Sequence, residues 1–102
     1  MGQFDVHRPV RRGQTPLLVD LQAEVLARLS TRLVVPLIPL KRFGARPITR
    51  LNPIVTFDRA DHVVVLQEAA AVACQTLGPV VGNLAAHRAA LVAGLDLLIV
   101  GI

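Results

Sequence analysis

The pattern of apolar and polar positions along the chain predicts short strands. Two early segments, 3–7 and 17–22, alternate apolar and polar residues, which is the period of a half-buried strand, and a largely apolar run bounded by prolines follows at 32–37. Two further apolar runs flank the polar residues 58–61, whose composition suits a hairpin turn. The predicted strands therefore cover residues 3–7, 17–22, 32–37, 54–57 and 62–66.

Two other segments have sequence patterns that do not decide between helix, strand and loop. Residues 22–29 suit a loop or a short helical turn. In residues 67–77 an Ala-rich core has high helix propensity, whereas residues 72–77 also alternate as a strand. Gly78-Pro79 and Gly82-Asn83 then punctuate the chain. The pattern alone leaves helix and strand open here.

The chain ends in a predicted helix over residues 84–100, with Asn83 as its cap. At roughly 100° per residue, four leucines fall on one face as a core stripe, and Gly101 suits the helix end. The stripe consists of Leu84, Leu91, Leu95 and Leu98. Short strands followed by one terminal helix indicate a small β-rich barrel or sheet with a helix packed on it.

The last eight residues are almost wholly apolar, although they lie at a free end. Val100 points roughly opposite to the leucine stripe, so the helix tip is apolar all round. Such a tip is either buried in its own fold or a dimer seam, or kept for docking to a partner. Both interpretations remain open at this point.

Length and composition narrow the class of protein. With 102 residues, we expect one domain, residues 1–102. The chain is 53% hydrophobic, but no apolar run approaches the roughly 20 residues of a membrane span. The opening lacks a signal-peptide pattern, so a cytoplasmic protein without a membrane partner is expected. Cys74 is the single cysteine, which predicts a small buried hydrophobe and argues against a metal cluster or cofactor.

The net charge of +4 is carried by ten arginines and one lysine. Most of the basic residues fall into two loops, which contain Arg8, Arg11 and Arg12, and Lys41, Arg42, Arg46 and Arg50. These loops are either simply solvated, or they attract an acidic protein or a nucleic-acid backbone. Phe43 is the one aromatic residue within either loop, so base stacking on single strands has little support.

The order of several short motifs matches a known family. The motifs are Gln3-Phe4 with Val6, Val19-Asp20-Leu21-Gln22, residues 32–37, Leu51 with Pro53, and the final Gly101-Ile102. Together they span the whole chain, and it resembles the CcdB toxins, the gyrase-poisoning half of toxin–antitoxin pairs.

The resemblance implies a mainly β fold, an antiparallel SH3-like barrel of the CcdB/MazF type with a C-terminal α-helix, assembled as a homodimer. It also favours a strand for residues 72–77. Such a toxin binds the A subunit of DNA gyrase, traps the cleaved-DNA complex and catalyses nothing itself. A CcdA-like antitoxin neutralises it, and operator DNA is bound only through the toxin–antitoxin complex that represses the operon.

The resemblance also implies a gyrase-binding set, formed by Asp96, Ile99, Val100, Gly101 and Ile102 at the helix end, with Val25 and Leu26 after the second strand. The chain departs from the family pattern at Val100, where well-known members carry tryptophan. Charge suggests Arg8, Arg11 and Arg12 as antitoxin contacts, because a basic surface attracts an acidic disordered segment.

Two rival functions use the same fold. A ribonuclease toxin of the MazF/Kid kind needs positioned acids, bases and phosphate-binding groups. Asp58, Asp61, His62 and His87, with the arginines, are the residues available for that chemistry. A detoxified regulatory or assembly module is the other alternative, and it accounts for Val100.

Overall fold

A computed structural model describes residues 2–10 and 16–101, and this part of the chain contains seven strands and one α-helix. The strands are β1 Asp5–Pro9, β2 Leu17–Asp20, β3 Thr31–Pro39, β4 Ile54–Phe57, β5 Ala60–Val64, β6 Ala70–Ala73 and β7 Leu77–Asn83. The helix, α1, is Arg88–Ile99. Single 3₁₀ turns occupy Glu24–Leu26, Leu40–Arg42, Leu66–Glu68, Cys74–Thr76 and Ala85–His87.

The strands form one antiparallel sheet in the order β4-β5-β3-β2-β1-β7, with β6 paired to β3. The long β3 organises the sheet: its first half pairs with β6 and its second half with β5, while β2 pairs with it from Val34 to Leu37. The sheet curls into a half-barrel, and α1 packs on the turn Leu66–Glu68. The predicted mainly β, antiparallel fold with a C-terminal helix is therefore confirmed.

Apolar side chains of each early strand fill the core, as expected from the alternation in the first two strands and the apolar run in the third. Val6, Val19 and Val35 are fully buried, and Leu91 of α1 joins them from the helix. Burying a side chain of this size stabilises a fold by roughly 1.5–3 kcal/mol. The rest of the core cluster is Phe4, Leu21, Leu37, Val55, Val64, Leu66 and Leu84.

The first three predicted strands exist with shifted ends. β1 begins at Asp5 rather than at residue 3, because Phe4 has a φ of 68°, outside the strand region. β2 ends at Asp20, two residues earlier than predicted. β3 continues past Leu37 to Pro39, since its second half still pairs with β5.

The hairpin between β4 and β5 has a tighter turn than predicted. The predicted four-residue turn, 58–61, is wrong, because Ala60 and Asp61 already pair with Phe57 and Thr56. Asp58 and Arg59 alone form the turn, with φ values of 50° and 64°. Positive φ at both central residues is the type I′ geometry, which matches the twist of a two-residue hairpin.

Residues 67–83 form strands rather than a helix. The resemblance-based strand over residues 72–77 is wrong in its middle: β6 ends at Ala73, a 3₁₀ turn occupies Cys74–Thr76, and β7 begins at Leu77. β7 then continues through Gly78-Pro79, which had been interpreted as punctuation. A Cβ on Gly78 would lie 2.9 Å from the carbonyl oxygen of Pro9 in β1, so close strand pairing requires glycine there. Cys74 is half-buried, not buried as predicted, and its Sγ lies 3.4 Å from the carbonyl oxygen of Leu29.

The terminal helix is shorter than the predicted 84–100. A 3₁₀ turn precedes α1, which begins at Arg88. The predicted Asn83 cap is wrong for α1, whose N-cap position is His87 and has no side-chain cap. The Oδ1 of Asn83 instead accepts a hydrogen bond of 2.6 Å from the N–H of Ala85, in the 3₁₀ turn before the helix. Gly94 permits close packing, because a Cβ there would contact Leu66 and lie 2.8 Å from the carbonyl oxygen of Arg50. Within residues 2–10 and 16–101, no helix is long and apolar enough to cross a membrane.

Candidate partner-binding site

The C-terminal tip, defined here as residues 96–101, ends α1 in a left-handed turn. The N–H groups of Val100 and Gly101 both donate to the carbonyl oxygen of Asp96, at 2.8 and 3.0 Å. Gly101 has a φ of 84°, a conformation that favours glycine, as predicted for the helix end. Ile102, also predicted for this site, lies outside the described residues.

The fold of one protomer leaves the tip bare. Ile99 is 77% exposed and Val100 63%, whereas Leu91, two turns earlier, is fully buried. Burial decreases along the predicted stripe, since Leu95 is half-buried and Leu98 is 41% exposed. The sequence left three explanations for the apolar tip, and the first of them, burial within the protein's own fold, is therefore wrong for these residues. A dimer seam and a docking surface remain as explanations.

The outer face of α1 carries almost no charge. From Ala89 to Gly101, Asp96 is the only charged residue, and its side chain is exposed. Val92, one turn before Asp96, is 37% exposed. A solvated helix face is normally polar, so this exposed apolar face is a candidate contact surface.

A second apolar surface follows β2. We call residues 23–29 the Val25 segment. Its 3₁₀ turn is closed by bonds from the N–H of Leu26 to Ala23 and from that of Ala27 to Glu24, at 2.9 and 3.0 Å. Val25 is 88% exposed, the highest value among the large hydrophobic residues described here, and Leu26 is 47% exposed. The structure therefore presents the predicted pair Val25 and Leu26 together, on an element separate from the tip.

The basic residues lie mostly on the surface. Arg8 is exposed near the end of β1. Arg11 and Arg12, predicted with Arg8 as antitoxin contacts, lie outside the described residues. The second basic loop is exposed at all four positions, Lys41, Arg42, Arg46 and Arg50.

The side chains considered for ribonuclease chemistry line two different cavities. Asp58 and Arg8 line one of about 310 Å³. His62 lines another of about 420 Å³, which is mostly apolar and has Arg42 and Glu68 among its walls. His62 is itself nearly buried, with Nδ1 at 3.0 Å from the carbonyl oxygen of Ala60.

The other two candidates for that chemistry lie elsewhere. Asp61 is exposed on β5, 3.4 Å from the hydroxyl of Thr56, and His87 ends the turn before α1. Among the residues that the structure describes, no cluster of three His, Cys, Asp or Glu side chains is suited to a metal ion.

Comparison with known proteins decides the family. The family model described as "CcdB protein" matches residues 3–101, nearly the whole chain. The chain belongs to the CcdB family. Membership supports a toxin of a toxin–antitoxin pair, as the sequence motifs had suggested. A search of curated proteins found no match.

A solved toxin structure shares the fold of this CcdB family member. The Mycobacterium tuberculosis toxin MazF-mt6 superposes with a TM-score of 0.72 over 90% of this chain and 92% of its own. The two sequences are 18% identical. At that identity the likeness shows a common fold and leaves the chemistry of the CcdB-like chain to be argued from its own residues.

Sequence reasoning missed a polar group beneath the Val25 segment. Asp20 and Arg32 are both buried and form an ion pair with Nη1 3.2 Å from Oδ2. The Val19-Asp20-Leu21-Gln22 motif had been used only to identify the family. A signal was present, since an acid in a strand and an arginine at the start of the next are candidates for pairing across the sheet.

Proposed function

We propose that this protein is a non-catalytic toxin that binds the A subunit of DNA gyrase and traps the gyrase–DNA cleavage complex. It acts in the cytoplasm as a single-domain protein that forms homodimers. A CcdA-like antitoxin neutralises it, and the toxin–antitoxin complex binds operator DNA and represses its own operon. The proposed gyrase contacts are Asp96, Ile99, Val100, Gly101, Ile102, Val25 and Leu26.

The bare apolar tip is the observation that carries this proposal. Ile99 and Val100 are adjacent and both more than half exposed at the end of a helix whose inner face is buried at Leu91 and Gly94. Contiguous exposed aliphatic side chains mark interaction sites more often than isolated ones do. The exposed carboxylate of Asp96 supplies one charge beside them, which offers a partner arginine a charge-assisted hydrogen bond.

Val100 reduces the expected strength of gyrase binding. An aromatic residue at the centre of an interface commonly contributes 2 kcal/mol or more, roughly thirtyfold in affinity. A valine in its place retains part of that apolar area. We therefore expect poisoning that needs a higher toxin concentration than a tryptophan-bearing family member requires.

The antitoxin is expected to bind through charge as well as apolar contact. The net charge of +4 per protomer doubles in a dimer, and Arg8, with Arg11 and Arg12, is proposed to contact an acidic antitoxin segment. Exposed charge pairs are screened by salt. Antitoxin affinity should therefore fall as ionic strength rises, and replacing Arg8 with glutamine should reduce that dependence.

The decisive experiment uses purified protein with gyrase and supercoiled DNA. Accumulation of cleaved DNA, together with growth arrest when the protein is expressed without antitoxin, supports the proposal. Replacing Val25 with serine should weaken trapping, whereas the same change at Val80, 49% exposed on β7, is a matched control that should leave it intact. Normal gyrase turnover in the presence of excess toxin would refute it.

A ribonuclease function of the MazF/Kid kind is the second candidate, and the fold shared with MazF-mt6 is the observation that favours it. RNA cleavage that is lost on replacing His62, with normal gyrase turnover, would establish this alternative. Inactivity in both assays would point to a detoxified regulatory module.

A further inference from the structure

Two polar side chains donate hydrogen bonds to the backbone of the Val25 segment. The Nε2 of Gln22 donates to the carbonyl oxygen of Leu26 at 3.0 Å, and the Nη2 of Arg32 donates to that of Ala27 at 3.3 Å. Gln22 is itself tied to the sheet, because its Oε1 accepts the N–H of Leu33 at 3.2 Å. The carbonyl groups of Leu26 and Ala27, which follow Val25, are therefore hydrogen-bonded to the side chains of Gln22 and Arg32, respectively.

Asp20 contacts both residues, through the side chain of Arg32 and the backbone of Gln22. Its Oδ2 pairs with Nη1 of Arg32 at 3.2 Å, and its Oδ1 accepts the backbone N–H of Gln22 at 2.9 Å. The strand register explains the pairing: Asp20 lies opposite Val34, so Arg32 is its diagonal neighbour on the same face. The Nε of Arg32 is buried and has no hydrogen-bond partner among the described residues.

A buried ion pair of this kind contributes little to stability by itself. The cost of removing both charges from water largely offsets their attraction, and apolar residues of similar volume often serve a fold equally well. The unpartnered Nε adds to that cost. An apolar pair, however, has no guanidinium group that could donate a hydrogen bond to the carbonyl oxygen of Ala27.

We infer that Asp20, Gln22 and Arg32 are positioning residues that hold the Val25 segment in the conformation that presents Val25 and Leu26. The inference deepens the proposed function, on which it rests for the identity of the partner. A preformed surface binds more tightly than a mobile one, because its ordering cost has been met before the partner arrives. The three residues act through the segment and do not themselves touch gyrase.

Two conservative substitutions remove the two side-chain hydrogen bonds to the Val25 segment one at a time. Gln22→Glu keeps an acceptor for the N–H of Leu33 but removes the donor to Leu26. Arg32→Lys keeps a cation beside Asp20, but a single ammonium group does not reproduce the guanidinium fork that also reaches Ala27. Because the charge pair is retained, the fold should survive both changes.

Amide hydrogen exchange of the free protein measures directly how well these hydrogen bonds order the Val25 segment. We expect the N–H groups of Leu26, Ala27 and Leu29 to exchange about fivefold faster in each single variant, and on the order of twentyfold faster in the double variant. The reference amides of Val64 and Val65, bonded to Pro53 and Pro36 between strands, should exchange at the wild-type rate. Gyrase A affinity of the double variant should fall on the order of tenfold, because fewer molecules hold the competent conformation.

Val25→Ser is the matched control, which should weaken gyrase binding without changing exchange in the segment. Unchanged exchange at Leu26, Ala27 and Leu29 in the double variant would overturn the inference. Equal acceleration at the reference amides would also overturn it, since the polar group would then support the whole fold. If the wild-type protein does not bind gyrase A, the proposed function fails, and the exchange measurement still decides whether these residues order the segment.

Discussion

Replacing Ile99 with serine removes the most exposed aliphatic side chain of the C-terminal tip without touching the core. Full burial of isoleucine contributes roughly 1.5–3 kcal/mol. The side chain is 77% exposed in the folded protomer, so about three quarters of that contribution remains available to a partner. The expected loss on binding gyrase A is therefore about 1–2 kcal/mol, or about 5- to 30-fold in Kd. The free energy of unfolding should change by less than about 0.5 kcal/mol, since surface substitutions rarely exceed that.

Titration calorimetry against gyrase A, with thermal unfolding of the free protein, measures both quantities. Ile54→Ser is the matched control, because Ile54 is 50% exposed and lies on β4 rather than on α1. An Ile99→Ser variant that binds gyrase A as tightly as wild type would refute the docking account. A variant that instead dissociates the homodimer would show that the tip is a subunit seam.

Other changes test how the fold supports this site. Gly94→Ala should lower the free energy of unfolding by about 1–3 kcal/mol in denaturant titrations, because the added methyl group meets Leu66 and the backbone beside it; an unchanged midpoint would contradict that packing. Arg59→Gly should raise the unfolding midpoint, since φ of 64° suits glycine, and a lower midpoint would argue against the type I′ turn. Burial alone would raise the pKa of Asp5, but hydrogen bonds from Asn83 and the Gly2 N–H outweigh it and hold that pKa below its ordinary value. This carboxylate therefore stabilises the fold at pH values above its unfolded-state pKa, and the stabilisation is lost as pH falls through its folded-state pKa. The difference in unfolding free energy between wild type and Asp5→Asn should therefore shrink on acidification. A difference that does not depend on pH would contradict the assignment.

The parts of the fold that sequence predicted are those where local pattern and tertiary context agree. β2 lies in a segment that alternates apolar and polar residues, β3 and β4 lie in largely apolar runs, and a polar turn joins β4 to β5; the structure forms strands from those patterns. β7 was missed because its glycines and proline carry no strand signal. Its existence depends on pairing with β1, which brings backbone close to Gly78. Helix propensity likewise lost to pairing at Ala70–Ala73, which lies against β3.

The candidate site was predictable in its apolar part and not in its polar support. An apolar run beside a chain end is visible in the sequence, and so is the Val25-Leu26 pair once the family is recognised. The bond between Asp20 and Arg32 depends on the β2–β3 register, which twelve residues of separation do not specify. Sequence also placed β5 too late, because the positive φ values of Asp58 and Arg59 are not typical of those residues.

In the function proposed above, the C-terminal tip of a dimeric, non-catalytic toxin inserts into the gyrase–DNA cleavage complex. The most direct measurement compares the wild-type protein with a variant lacking Gly101 and Ile102, using gyrase–DNA cleavage and analytical ultracentrifugation together. We expect the wild-type protein to accumulate cleaved DNA, and the truncated protein to stay dimeric without accumulating it. Undiminished trapping by the truncated dimer, or no trapping by the wild-type protein, would contradict the proposed function.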